Sequence, residues 1–397
     1  MTERWTAEDI ARARADTPGC ARVAHFNNAG ASLPPQPVLD AHLTHLEREA
    51  EIGGYEAQEE AQPRIEAVYR SVARLIGAAG PDEIALVENA TRAFDMAIYA
   101  VPLAAGDVIL TSTAEYHSMF VTYLHLARRG VVVEVVPSDA AGQIDVGALR
   151  KRMHARVRLI ALTHAPTNGG LIQPAEAVGA IAREAGVFYL LDATQTVGQL
   201  PVDVQRIGCH ALAGTSRKYL RGPRGTGFLW VTREWIERLE PPLMEGHAAE
   251  WVEPDRYVLR PDGKRFEVWE ANYASRLGFG AAVDYALALG LDRIWERVRA
   301  LGEALRERLA AVPGVTVCDL GTVRGGIVSF TVRNIGAAAV TAALRAVGIN
   351  VHRSPARGTL LDMRARGLNE LVRASVHYYN TDDELDRLVH ELRRLVP

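Results

Sequence analysis

From about residue 60 the chain keeps a two-beat pattern that few folds can satisfy. Short, near-continuous apolar runs alternate with stretches whose apolar residues recur every three or four positions. Ile65, Val68, Val72 and Leu75 repeat at helical spacing behind Pro63, which suits a first turn, and 83–87 then reads as a strand. Strand-like runs follow at 108–111, 131–136, 159–163 and 188–191, separated by helical patterns at 120–129, 146–153 and 175–185. Strands that are apolar on both faces and spaced by helices belong in a mostly parallel sheet covered on both sides.

After Pro254 the beat changes. A long helical stretch at 275–311 leads to a short strand at 316–317, a strand at 327–332, a helix at 337–346 and a strand at 349–352, the pattern of a small α+β domain. The expected organisation is an N-terminal segment 1–58 packing with the small domain, a large domain 59–262, and a C-terminal small domain 263–397 with its connecting helix. The stretch 241–264, rich in Pro, Gly and charge, is expected to be a linker or an active-site loop.

Several function classes fit poorly. The net charge is −3, from 45 basic and 48 acidic residues with no basic block, which argues against nucleic acid or an anionic membrane surface as partner. The N-terminus, MTERWTAEDIARARAD, lacks the apolar centre of a signal peptide, and no apolar run approaches the ~18 residues of a membrane span. A cytoplasmic protein is expected. Cys20, Cys209 and Cys318 are far apart and outside any CxxC pattern, so neither a disulfide framework nor zinc is indicated. His42 and His45 read as a solvated helix face, and no metal site is expected. The turn GPRGTG precedes a strand instead of opening a helix, which is wrong for a dinucleotide loop.

Open α/β sheets bind ligands beyond the carboxyl ends of their strands, so the residues after each apolar run carry the functional information. LLDATQTVGQ places Asp192 at such an end, where alone it reads equally as a cap or turn former. Only three of the 45 basic residues are lysine. Lys151 lies in a charged helix and Lys264 in a polar loop, whereas Lys218, in TSRKYLRGPRGTGF, stands between Arg217 and a Gly-rich turn. VENATRAFD sets Asn89, Ala90 and Thr91 between a strand and a helix, where free N–H groups and a hydroxyl suit a phosphate or simply cap the helix. Arg373 sits among apolar neighbours in VRASV, where it needs an anion: a protein carboxylate or, in the functional reading, a substrate carboxylate held bidentately.

In this order and with these surroundings the residues resemble the class V aminotransferase family of fold-type-I pyridoxal-phosphate enzymes, which includes the cysteine desulfurases. The likeness runs from FNNAGASLP at residue 26 to the final helix. It implies an α/β fold-type-I transferase, pyridoxal 5'-phosphate as cofactor, a small-molecule amino-acid substrate, and a homodimer with shared active sites. It also implies that Lys218 forms the Schiff base and moves the Cα proton, while Asp192 partners the pyridine nitrogen so that the ring becomes an electron sink. By the same likeness Gln195 contacts the ring oxygen and Thr167 faces it. Ala90, Thr91, Asn89, Thr215 and Arg217 fall to the phosphate, although the family often has His at the position of Arg217. Tyr116, or else His117, stacks on the ring. Arg373, Asn28, Asn168 and Arg353 fall to the substrate.

Two departures sharpen this reading. Glu270 stands where relatives offer Ser or Thr to the phosphate across the dimer interface, and a carboxylate repels phosphate. The segment INVHRSPARGTLLDMRARGLNELVRAS aligns with the loop that carries the nucleophilic cysteine of desulfurases and contains none, which disfavours persulfide formation. EREAEIGGYEAQEEA, with KYLRGPRGTGF and APTNGG, resembles the branch containing hercynylcysteine sulfoxide lyase of ergothioneine biosynthesis and related antibiotic-biosynthesis enzymes. The activity implied is a Cβ–S lyase acting on an S-substituted cysteine, a thioether or a sulfoxide, with release of pyruvate, ammonia and a thiol or sulfenate. The alternatives are an aminotransferase, epimerase or decarboxylating deaminase of a cysteine S-conjugate or another amino acid, then a cysteine desulfurase, and last a ligand sensor built on the same fold.

Overall fold

The computed structural model describes residues 5–396. In chain order its strands are β1 (Ala24–His25), β2 (Ile84–Val87), β3 (Val108–Ser112), β4 (Val132–Val136), β5 (Val157–Thr163), β6 (Phe188–Asp192), β7 (Ala211–Thr215), β8 (Gly227–Val231), β9 (Ala249–Glu253), β10 (Arg256–Leu259), β11 (Val315–Val317), β12 (Ile327–Val332), β13 (Ile349–Asn350), β14 (His352–Pro355) and β15 (Glu370–Ser375). The large sheet has the order β2-β8-β7-β6-β5-β3-β4. Only β8 runs against its neighbours, β2 and β7; the pairs from β7 to β4 are parallel. Every residue of β3, β6, β7 and β8 is buried, as a sheet covered on both faces requires. The edge strand β4 is only partly covered.

Covering helices form close to where apolar spacing predicts them, at His117–Ala127, Val146–Lys151 and Ala175–Ala185, and a further one, Ala90–Ala100, follows β2. Their starts are chemically marked. The Asn89 side chain accepts from the Arg92 N–H and that of Asp145 from the Ala148 N–H, each satisfying a donor the helix itself leaves free. These connections bring the ends of β3, β5, β6 and β7 to one edge of the sheet. In the ladder Thr163 stands opposite Asp192, and Asp192 opposite Ala213.

The small domain carries the antiparallel sheet β11-β12-β15-β14 with helices Ala337–Ala346 and Asp382–Leu395. Near the N-terminus β1 pairs in parallel with β13, and Asn27 bridges to Ser375. The expected boundary at 58/59 nevertheless falls inside one helix, Gly54–Ile76, and Pro63 lies in its interior instead of its first turn. A proline there removes a backbone bond; burial of Ile65, Val68, Tyr69, Val72, Leu75 and Ile76 along one face holds the helix through it. The predicted helical stretch 275–311 is two helices, Tyr273–Leu289 and Leu291–Ala310, parted at Gly290, whose φ of +85° suits glycine. The first of them packs on Gln36–Ile52 and Gly54–Ile76. The stretch 241–264 folds into the β9–β10 hairpin, with Trp251 78% exposed.

Candidate active site

The end of β7 turns sharply. The Arg221 N–H bonds to the Lys218 carbonyl, the Gly222 N–H to that of Ser216, and Arg221 adopts φ 65°. This turn lays Lys218 inside the protein at 7% exposure, with Nζ 5.9 Å from the centre of the Tyr116 ring. Burial, reinforced by the positive charges of Arg217 and Arg373 and opposed by Asp192, lowers its pKa to about 7. A buried amine with a substantial uncharged fraction near neutrality is a nucleophile and a base. The other two lysines have ordinary surroundings: Lys264 is ion-paired with Glu66 at 2.7 Å, and Lys151 is exposed.

Asp192 ends β6 and is buried, its Oδ1 accepting the Thr194 N–H at 2.9 Å. Burial raises its pKa, against hydrogen bonds from Thr194 and the charge of Lys218. Gln195 donates Nε2 to the Ala29 carbonyl at 3.1 Å and to Thr167 Oγ1 at 3.5 Å, while its Oε1 has no partner. Thr167 Oγ1 also accepts from Arg373 Nη1 at 2.7 Å. Tyr116 is half-buried and faces the amine; His117 is exposed, its ring edge-on against Tyr116 at 4.3 Å. Of the two expected stackers the geometry favours Tyr116.

At the helix Ala90–Ala100, Asn89 is already spent as the cap, whereas Ala90 and Thr91 carry first-turn N–H groups that the helix does not use. Thr215 is buried at the end of β7, its hydroxyl 3.3 Å from the Thr226 carbonyl. Arg217, expected at the phosphate, donates Nη1 to the Gly30 carbonyl. Glu270 is exposed and lines a narrow cleft with Glu88, Arg92, Gly225, Thr226 and Asn272, beside the helix start.

Arg373, on β15, reaches the same place from the small domain. It is 4% exposed, donates Nη1 to Thr167 O and Oγ1 and Nη2 to Asn27 Oδ1 at 3.2 Å, and leaves Nε unbonded. No carboxylate pairs with it among the described residues. Asn28, expected at the substrate, is instead fully occupied: Nδ2 donates to the Ser375 and His25 carbonyls, and Oδ1 accepts from the Tyr379 hydroxyl. Its neighbour Asn27 is the one whose side chain meets Arg373. Asn168 ties down the following loop, accepting from Ser354 Oγ and donating to Thr359 Oγ1 and the Pro355 carbonyl. Arg353 is not at the site. On β14 it is His352 that stands opposite Arg373; Arg353 pairs with Val372 on the other face and binds Glu370 at 2.6 Å, half in solvent.

Sequence reasoning missed Glu115 as well as Asn27, and it placed His45 on a solvated face although that residue is buried. Among the described residues no group of three His, Cys, Asp or Glu side chains is set to hold a metal. Buried polar atoms seek partners, yet Gln195 Oε1 and Arg373 Nε have none. Together with an unpaired amine, an aromatic face and free helix N–H groups, these suit a flat, phosphorylated aldehyde next to a carboxylate ligand.

The model of the class V aminotransferase family matches residues 24–388. A relative in Methanothermobacter thermautotrophicus, named "Probable cysteine desulfurase", is 31% identical over 396 residues, 98% of either chain. The apo cysteine desulfurase of Thermococcus onnurineus superposes with a TM-score of 0.90 at 28% identity, over 100% of this chain and 99% of that one. The cystine C–S lyase C-DES, solved with its product cysteine persulfide, shares the fold at 24% identity, with a TM-score of 0.86 over 96% of this chain and all of its own; a second structure of C-DES has glycine covalently linked to its PLP cofactor. Nothing in these names points to the sulfoxide lyase of ergothioneine biosynthesis, so that narrower resemblance has no support from them.

Proposed function

The chain belongs to the class V aminotransferase family, has the fold-type-I architecture and uses pyridoxal 5'-phosphate, and from that premise we propose that it is a Cβ–S lyase of S-substituted cysteines, thioethers or sulfoxides. The observation that carries this reading is the state of its thiols. The segment 349–375, which runs from β13 through β14 to β15, has no cysteine. Cys318 packs with Met363 and Leu371, its Sγ directed to the Thr316 carbonyl, and burial raises its pKa. Burial does the same at Cys209 and Cys20. A persulfide-forming enzyme needs a reactive thiolate, and these three are poorly suited to supply one. The names of the relatives, desulfurase and cystine lyase, describe those proteins; they support a cysteine-derived substrate here.

Residue by residue, Lys218 would carry the cofactor, Asp192 would hold the proton of its pyridine nitrogen, and Ala90, Thr91 and Thr215 would hold its phosphate. Gln195 and Thr167 would meet the ring oxygen, and Tyr116 the ring face. When bound, pyridoxal phosphate accepts the electron pair left at Cα. Arg373 and Asn27 fix the substrate carboxylate, which sets the rotation of Cα and hence the bond that is broken. The Lys218 amine takes the Cα proton. The sulfur then leaves with the Cβ–S pair as thiolate or sulfenate, and the released 2-aminoacrylate adds water to give pyruvate and ammonium.

The active species is read as a cytoplasmic homodimer. Among the described residues no helix is long and apolar enough to cross a membrane, and Trp251, Tyr257 and Val258 on the β9–β10 hairpin and Trp269 next to Glu270 are exposed apolar side chains. The second reading is cysteine desulfuration, favoured by the names of the relatives. Holoenzyme supplied with cysteine thioethers and sulfoxides should release one pyruvate per thiol or sulfenate. Turnover that yields no pyruvate, with a sulfur-bearing keto acid or a shortened aldehyde instead, would transfer the assignment to transamination or decarboxylation.

A further inference from the structure

We propose that Glu115 is a positioning residue of this site, whose buried carboxylate fixes Tyr116 against the end of β5 and adds negative potential beside Asp192. The inference rests on pyridoxal phosphate being the cofactor, not on which substrate bond is broken.

Glu115 lies between β3 and the helix His117–Ala127 at 3% exposure, immediately before Tyr116. Four donors end on it. Oε1 accepts the Thr163 N–H at 3.0 Å and the Ser112 hydroxyl at 2.9 Å; Oε2 accepts the Thr163 hydroxyl at 2.8 Å and, more distantly, the Tyr123 hydroxyl at 3.5 Å. The charged and titratable groups that face it are Asp192 and Tyr189 from β6 and Tyr123 from the helix. No cation is among them. A buried carboxylate held by neutral donors alone is costly, so its presence here calls for an explanation beyond stability.

The geometry supplies one. The Thr163 hydroxyl gives its proton to Glu115 and so turns a lone pair to the Tyr116 N–H, 3.4 Å away. Thr163 is also the ladder partner of Asp192. Glu115 therefore joins the residue whose ring faces Lys218 to the strand beside the residue that would bind the pyridine nitrogen. Its negative charge strengthens the hold on a protonated ring, because a low-dielectric surround screens it little.

Burial raises the Glu115 pKa to about 7, which separates this role from a merely structural one. At pH 8 the carboxylate is charged; at pH 5.5 it carries a proton and resembles glutamine. Cofactor affinity of the apo chain, followed by quenching of tryptophan fluorescence, should be roughly tenfold weaker in Glu115→Gln than in the unsubstituted chain at pH 8. The two should agree within about twofold at pH 5.5, a tenfold change being ~1.4 kcal/mol. Equal losses at both pH values, or no loss at either, would overturn the proposal. Thr163→Val keeps a strand-forming residue and cuts the same link. It should weaken the cofactor several-fold at both pH values, and an unchanged affinity there would overturn the proposal even if Glu115→Gln did not fold. Because the readout is cofactor binding, failure here leaves the lyase assignment standing, and failure of the pyruvate assay leaves this one.

Discussion

Two buried arginines, three residues and 155 residues away from Lys218, show how this protein separates scaffold from site. Arg221 is 1% exposed and every nitrogen has an end point: Nε on the Leu33 carbonyl, Nη1 on the Tyr378 hydroxyl and Nη2 on the Thr17 hydroxyl. The rings of Tyr379, Tyr378 and Tyr285 surround it at 4.6, 5.2 and 5.8 Å. Arg373 is as deeply placed but has an unbonded Nε and only neutral partners. Burial lowers its pKa to about 10, the mark of a charge that lacks its anion. A saturated cation fastens the N-terminal segment to the small domain. An unsaturated one is poised for a carboxylate that arrives with the substrate.

The comparison can be broken by substitution. The largest effect belongs to Lys218, the centre of the unsaturated region: Lys218→Ala should remove activity by at least ~10³-fold and abolish the visible absorbance of lysine-bound cofactor, with no loss of thermal stability. Arg373→Met should lower kcat/KM by roughly 10²- to 10³-fold, about 3–4 kcal/mol for a buried charge pair, and leave the melting temperature of the apo chain equal or higher. Arg221→Met should do the reverse. Denaturant unfolding should show a loss of about 3 kcal/mol, as several buried groups lose partners, with kcat/KM per folded molecule within about twofold. If Arg373→Met unfolds the chain and Arg221→Met only slows it, the distinction collapses.

The smallest effect concerns pH. The folded Lys218 pKa of about 7 lies below its ordinary value, so the amine is mostly protonated at pH 6 and mostly free at pH 8. Cofactor capture by the apo chain, measured by the rise of visible absorbance, should quicken across that interval with a midpoint about 7. The same depression means that the unfolded chain binds more protons between about 7 and the ordinary lysine value, so this group's contribution to apo stability rises with pH in that window. A capture rate that is flat from pH 6 to 8 would contradict the burial argument.

Much of the large domain was legible because its strands are uniformly apolar and its helices are amphipathic or capped; Asp192 stood out where one of those strands stops, and Lys218 as one of three lysines, set before a Gly-rich turn. The small domain was harder. Arg353 and His352 alternate faces, and which one meets Arg373 depends on a β14–β15 register that no local pattern carries. Asn27 and Asn28 differ in the same way. Glu115 went unread because two of its donors, the Thr163 N–H and hydroxyl, lie 48 residues away on β5; the acid directly before an aromatic at a strand end was the available signal. WVEPDRYVL carries the β9–β10 hairpin as two apolar runs around a Pro-Asp turn, but the Pro, Gly and charged residues around it made the stretch read as a linker or active-site loop.

The central claim is that the Cβ–S bond is broken by elimination without a protein thiol. The most direct measurement uses the holoenzyme with Cys20, Cys209 and Cys318 all replaced by Ala, given an S-alkylcysteine, its sulfoxide, and cysteine itself, with pyruvate and alanine both quantified. The account predicts pyruvate equal to the thiol or sulfenate released from the conjugates, at the rate of the unsubstituted enzyme. Pyruvate-free conjugates, together with alanine formed from cysteine only when Cys318 is present, would contradict it.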